Sequence, residues 1–206
     1  MQIDIFGSFL RKVKDEYRDS VREVESSKKG QHMPSEGIYD NAQWHYKIGF
    51  LKKVSKEQGA THIAFFLRWC LENQLVSRSL LDQIQEVSDD LLQGTLSYPA
   101  FVIQKMDGVF SRKGLNPTGQ VFADVYYTTQ ENAFSSNLGN YVEDYTALVH
   151  VLYRLNGAEY YCVKYIDKNY RKVRALLTKS TKLSRSFKKD LLFKATSPDE
   201  LFSQGA

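Results

Sequence analysis

The stretch THIAFFLRWCLENQL, residues 61–75, decides the fold of this 206-residue chain. When it is wound at 3.6 residues per turn, apolar side chains occupy nearly every face, and only Arg68 and Glu72 carry charge. A helix that is apolar all round is buried on all sides. We therefore predict a central helix over residues 63–75, around which the rest of the chain packs.

Segments on both sides of this stretch repeat apolar residues every three or four positions, which is the period of an amphipathic helix. Most of them begin at a residue that can cap a helix, and several end at glycine. The sequence therefore predicts an all-α fold, a mostly helical single domain. The predicted helices are residues 8–25, residues 79–93 with Ser79 as N-cap and Gly94 as stop, two that begin at Ser97 and Asn116, residues 141–152 and residues 160–177.

The segment around Asn156 and Gly157 allows two structures. Asn-Gly supplies the positive φ angles of a tight hairpin turn, and its flanks are rich in valine, leucine and tyrosine. We favour helices joined by an Asn-Gly loop. A small β-hairpin at about residues 151–163 is the alternative.

The body of the chain opens with YDNAQWHY, residues 39–46. Asp40 and Gln43 have the spacing of a capping box, which predicts a short helical turn. We expect Trp44 to pack against the central helix near His62 or Phe66.

Three regions follow from composition and charge. We predict an amphipathic helix and a linker rich in serine, glycine and charge over residues 1–37, a helical core domain over residues 38–178, and a basic C-terminal tail over residues 179–206. Charges interrupt every hydrophobic stretch, so we expect no membrane span. Cys70 and Cys162 lie far apart in apolar segments, which is typical of a reduced, cytoplasmic protein.

Asp40, His45 and His62 are the residues that suggest chemistry. Two imidazoles and a carboxylate suit several transition metals, but their spacing matches neither an HExxH helix nor a cysteine-histidine zinc pattern. No phosphate-binding loop or nucleophile motif is present. We therefore expect no catalytic residue, no metal and no cofactor, and keep a metal-dependent enzyme that uses these three residues as an alternative.

Residues 164–194 carry 11 basic and 2 acidic side chains, a balance of +9. Such a stretch either steers an acidic protein partner towards its binding site or tracks the phosphates of a nucleic acid. We favour the protein partner, with nucleic acid as the alternative. The basic residues assigned to this role are Lys182, Arg185, Lys188 and Lys189.

The motifs YDxAxWHY, from Tyr39 to Tyr46, and THIxxFLxW, from Thr61 to Trp69, resemble those of an uncharacterised family of small bacterial proteins. That family is similar to the immunity proteins that accompany secreted toxins. The chain departs from the family pattern around residues 47–54.

The resemblance implies a non-catalytic, intracellular immunity protein that binds and neutralises a cognate secreted bacterial toxin. Its partner-binding residues are then expected in two places, the opening motif and the basic tail. They are Asp40, Trp44, His45, Tyr46 and His62, with Lys182, Arg185, Lys188 and Lys189.

Overall fold

A computed structural model describes residues 37–46, 54–127, 140–155 and 157–180. This part of the chain is mostly helical and contains one small antiparallel pair of strands, which confirms the predicted fold class. The helices are α1 Gln43–Tyr46, α2 Lys56–Gly59, α3 Thr61–Glu72, α4 Arg78–Glu86, α5 Ser88–Gln93, α6 Tyr98–Lys105, α7 Pro117–Tyr126, α8 Tyr141–Tyr153 and α9 residues 167–180. The strands are β1 Ile38–Asn41 and β2 Val109–Ser111. Short 3₁₀ helices cover Arg112–Gly114 and Gly157–Cys162.

Several predictions concern segments outside the described residues. They are the N-terminal helix over residues 8–25 and the four basic residues of the tail between 182 and 189. Among the helices that the structure describes, none combines the length and the apolar character needed to cross a lipid bilayer.

Helix α3 is the centre of the core, as predicted. Nine of its twelve residues are buried, from Thr61 to Cys70 with Arg68 as the exception. Phe66 lies in the middle of the helix, is fully buried, and contacts rings from α3, β2, α7, α8 and the residue after α7. These rings belong to Trp69, Phe110, Phe122, Tyr141 and Tyr127, with centroids 4.7–6.2 Å away.

The two strands come from distant parts of the sequence and pair antiparallel, with Asp40 opposite Phe110 and Asn41 opposite Val109. This pairing shows that the predicted capping box is wrong. Asp40 belongs to β1 and is buried, because alternate residues of a strand point to opposite faces. The side chain of Asn41 accepts the N–H of Gln43 at 2.9 Å instead, so the turn-forming role falls one residue later.

Two predicted helix starts are confirmed. The hydroxyl of Ser97 accepts the N–H of Ala100 at 3.2 Å, and the side chain of Asn116 accepts the N–H of Gly119 at 2.9 Å. Each cap is followed within two residues by a proline, which is tolerated there because the first turn has no internal N–H bonds to lose.

The single helix predicted over residues 79–93 is wrong in its start and in its continuity. Ser77, not Ser79, is the N-cap, and the helix breaks at Val87 before α5 continues to Gly94. The N–H of Val87 turns to the carbonyl of Ile84, a tighter bond than the α-helical one. The spacing of apolar residues does not reveal this break, because Val87 at the break and Leu91 after it both pack against the core.

Residues 151–153 and 157–162 are helical and no described residue between 151 and 163 forms a strand, so the β-hairpin alternative does not form there. Helix α8 ends at Tyr153, and Arg154 takes the left-handed conformation, with φ at 55°, that the hairpin assigned to Asn156 and Gly157. The single helix predicted over residues 160–177 is also wrong, since residues 163–166 are not helical. Asn169 fixes this interruption by donating its side-chain N–H to the carbonyl of Lys164 at 2.8 Å.

Replacing Phe66 by alanine should lower the free energy of unfolding by about 3–5 kcal/mol, because the cavity left among five rings cannot collapse. Urea denaturation measures this. Leu92→Ala is the control, since that side chain is 84% exposed and its loss should change stability by no more than about 0.5 kcal/mol. Equal effects of the two substitutions would contradict the central place of Phe66.

Candidate functional site

The carboxylate of Asp40 is buried and accepts four hydrogen bonds. Its Oδ1 accepts the backbone N–H of Asn41 and the Nε2–H of His45, both at 2.7 Å. Its Oδ2 accepts the Nε2–H of His62 at 2.8 Å and the hydroxyl of Tyr127 at 2.7 Å. A carboxylate has about four acceptor positions, so the protein itself satisfies this one completely. We call Asp40, His45, His62 and Tyr127 the Asp40 centre.

Four elements bring the Asp40 centre together. Asp40 lies on β1, His45 on α1, His62 in the first turn of α3, and Tyr127 directly after α7. The hydroxyl of Tyr141, from α8, donates to the backbone carbonyl of His62 at 2.7 Å and holds the start of α3 in place.

The turn between β1 and α1 sets the position of His45. The backbone N–H of Ala42 donates to the carbonyl of Gly108 at 2.8 Å, and the N–H of His45 donates to the carbonyl of Ala42 at 3.1 Å. Gly108 has φ at 74°, a left-handed conformation that glycine adopts without strain. The tight loop before β2 thus holds the segment that carries His45.

Burial and hydrogen bonding determine the charges in the centre. Burial alone would raise the pKa of Asp40, but His45 and His62 outweigh it and hold that pKa well below its usual range. Burial lowers the pKa of His62 against the opposing attraction of Asp40. Burial, reinforced by Asp40, raises the pKa of Tyr127 far above its usual value. At neutral pH the centre therefore holds a carboxylate, a neutral His62 and a protonated tyrosine.

Asp40, His45 and His62 can each offer one ligand atom to a metal ion, and these three atoms lie within 4.8 Å of one another. A ligating His62 would carry its proton on Nδ1, and metal-bound histidines almost always donate that proton to an acceptor. The Nδ1 of His62 is buried and has no partner in the described part of the chain. This orphaned atom favours the hydrogen-bonded network over a metal site.

The centre approaches solvent at His45, whose side chain is 12% exposed. The His45 ring lies tilted against Tyr161, with centroids 4.3 Å apart, and meets His62 edge-on at 4.4 Å. His45 is therefore held on both sides by aromatic rings.

Trp44 lies beside His45 in the chain but points outward. It is 42% exposed, so the prediction that it packs near His62 or Phe66 is wrong. Consecutive residues of a helix differ in direction by about 100°, and His45 takes the inward direction to reach Asp40. Tyr46 is half-buried and packs against the core, where Gly59 leaves room for its ring.

The structure thus brings together three of the predicted partner-binding residues, Asp40, His45 and His62, with Trp44 and Tyr46 on the same short helix. Sequence reasoning missed Tyr127, which lies 87 positions from Asp40 and has no local spacing that links the two. Cys70 is fully buried, and burial raises the pKa of its thiol well above the usual value, which agrees with an inert side chain.

Removing one of the hydrogen-bond donors to Asp40 should destabilise the protein. Tyr127→Phe leaves the buried carboxylate short of a hydrogen bond, and we expect the free energy of unfolding to fall by about 1–3 kcal/mol. The matched control is Tyr39→Phe, which removes a hydroxyl bonded to the partly exposed Asp124 at 2.6 Å. Urea denaturation should show a smaller loss for this control, since water can replace the hydroxyl there.

The lowered pKa values predict a loss of stability in acid. Below about pH 6.5 the unfolded chain protonates His62 while the folded chain does not. The unfolded state then binds more protons, so the free energy of unfolding decreases as the pH is lowered. Below about pH 4, Asp40 adds a second loss of the same sign. Between pH 8 and 5 the free energy of unfolding should depend less steeply on pH in His62→Gln than in the unchanged protein. Equal slopes would contradict the lowered pKa of His62.

Comparison with known proteins places these residues in a family. No curated protein and no solved structure matches the chain. Residues 38–156 match a domain of unknown function, DUF7832, and this span covers more than half of the chain and all four residues of the Asp40 centre. The chain therefore belongs to the DUF7832 family.

Proposed function

We propose that the protein binds another protein without catalysis, and that the partner is a secreted bacterial toxin which it neutralises as an immunity protein. The resemblance of the YDxAxWHY and THIxxFLxW motifs supports this class of partner. The exposed side chain of Trp44 is the observation that carries the binding role.

Trp44 has the properties of an interface anchor. Tryptophan is among the residues that contribute most to binding energy, because its large ring can be fully desolvated in a complex. Its side chain is 42% exposed, whereas the chain's other tryptophan, Trp69, is 1% exposed. The exposed part of the Trp44 ring is available for contact with a partner protein.

The segment that carries Trp44 is preorganised by hydrogen bonds within the unbound protein. Residues on both sides of it are bonded to fixed groups: Gln43 to the side chain of Asn41, Ala42 to the carbonyl of Gly108, and His45 to Asp40. A segment ordered in advance loses little conformational entropy on binding, which raises affinity. The Asp40 centre therefore serves as the brace of a recognition surface.

The hydrogen bonding and burial of the Asp40 centre favour this structural role over catalysis. A general base needs a lone pair that is not already committed, yet all four acceptor positions of Asp40 are occupied by protein donors. His62 is fully buried, so a substrate has no access to it. These features suit a structural network better than an acid-base pair.

Replacing Trp44 by alanine should weaken binding to the toxin by at least about 30-fold, the equivalent of 2 kcal/mol for an anchoring residue. Calorimetry with the toxin domain encoded beside the gene for this chain measures the affinity. The free energy of unfolding should change by less than about 1 kcal/mol, because the side chain is largely exposed. Leu92→Ala, which removes an exposed apolar side chain elsewhere, should leave affinity unchanged.

Two results would contradict the proposal. One is that the neighbouring gene encodes no secreted toxin, or that its product forms no complex with the chain. The other is that Trp44→Ala lowers stability and affinity in step, since the residue would then act through the fold and not at the interface.

A metal-dependent enzyme is the second candidate, and the convergence of Asp40, His45 and His62 favours it. We expect purified protein to hold no stoichiometric transition metal, because binding would leave a buried Nδ1–H of His62 without an acceptor. Elemental analysis tests this directly. One metal per chain, lost in His62→Ala but kept in the control His150→Ala, would replace the immunity proposal by the enzyme.

A further inference from the structure

A groove of about 340 Å³ opens between the end of α8 and the start of α9. This volume is at the small end of the range of about 300–1,000 Å³ for ligand pockets, so it suits one anchoring group. Its walls are mostly apolar and its rim is basic. The residues that define its character are Tyr153, Leu155, Cys162, Val163 and Ile166 in the walls, with Lys164 and Lys168 at the rim.

Hydrogen bonds fix both walls of the groove. Asn169 accepts the hydroxyl of Tyr153 and donates to the carbonyl of Lys164, which ties α8 to the segment before α9. The Nδ1–H of His150 donates to the carbonyl of Leu155 at 3.0 Å. The groove is therefore formed in the protein alone and need not be induced by a ligand.

Apolar surface is left open in this groove. Tyr153 is 37% exposed and Ile166 is 47% exposed, so two of the exposed large apolar residues in the described part of the chain lie in one small groove. Apolar side chains gathered in a rigid concave site mark a place where another molecule packs.

The surroundings of the groove are positively charged. Residues 164–180 contain six basic side chains and one acidic side chain. That acidic side chain, Asp167, is bonded to Arg68 at 2.8 Å. The ammonium group of Lys172 lies 5.5 Å from the centre of the Tyr153 ring, and no acidic side chain lines the groove among the described residues. A ligand with negative charge complements this rim.

We propose that this groove binds an acidic segment of a partner protein. One large apolar side chain of the segment inserts between Tyr153 and Ile166, and carboxylates on either side of it face Lys164 and Lys168. The groove adjoins the Asp40 centre along the chain, since Tyr161 contacts the His45 ring and Cys162 lines the groove. The proposal extends the protein-binding function but depends neither on Trp44 nor on the partner being a toxin.

The two cysteines provide a readout inside the groove. Cys162 is partly exposed and lines the groove, whereas Cys70 is fully buried. A thiol reagent added to the full chain should therefore modify Cys162 first. The probes are three synthetic nonapeptides: glutamates around a central leucine, glutamates around a central glycine, and lysines around a central leucine.

The glutamate–leucine peptide should slow the modification of Cys162 at least fivefold and bind at least tenfold more tightly than the other two in fluorescence anisotropy. Binding should weaken as salt rises, because exposed charges are screened. Ile166→Asp and Lys168→Glu should each weaken it at least tenfold. Lys179→Glu is the matched control, the same charge change about 16 Å further along α9, and should alter binding less than twofold.

Other outcomes would overturn the proposal. Equal protection by the three peptides, or protection unchanged in Ile166→Asp, would show that the groove does not select an apolar anchor between acids. Stronger protection by single-stranded nucleic acid would assign the basic rim to phosphates. If Ile166→Asp instead dissolves a dimer, or speeds the modification of Cys162 without any peptide, the groove is occupied by a second copy or by the chain itself.

Discussion

The burial of the Asp40 charge is the constraint on which the rest of the structure depends. A carboxylate without partners in the interior costs several kcal/mol, so it is stable only where all its donors are in place. Here the donors come from β1, α1, α3 and the residue after α7. His62 and Tyr127 lie 22 and 87 positions from Asp40 in the sequence, and the carboxylate therefore makes the assembly of these elements mutually dependent.

Aromatic rings fill the space around this charge and explain how it stays dry. Phe66 and Tyr127 contact each other, and both contact Phe110 and Tyr141. The two tyrosines also direct hydroxyl groups into the centre or its supporting backbone. Tyrosine suits this place because one end of its side chain is apolar and the other donates a hydrogen bond. The low dielectric constant of this interior strengthens each hydrogen bond, and it raises the free-energy cost of leaving a buried polar group unpaired.

Two surfaces of the protein are held in place by different sets of contacts. The surface around Trp44 is held directly by the Asp40 centre through His45. The groove beside Tyr153 and Ile166 depends on Asn169 and on the ending of α8. The family match ends at residue 156, so the brace lies wholly within the DUF7832 domain, whereas Ile166 and Lys168 of the groove follow it. The surface around Trp44 therefore belongs to the family domain, whereas the groove is completed by α9, which follows that domain.

The sequence by itself determined the helical class, the central position of α3 and the capped starts at Ser97 and Asn116, because these depend on periodicity and on contacts within one turn. It also singled out Asp40, His45 and His62 as candidate residues. Only the tertiary structure decided that Asp40 is a strand residue and not a cap, since β2 pairs with it from a distant part of the chain. Tyr127 completes the centre for the same reason. Packing likewise turned Trp44 outward, because His45 on the same short helix is drawn to the buried charge.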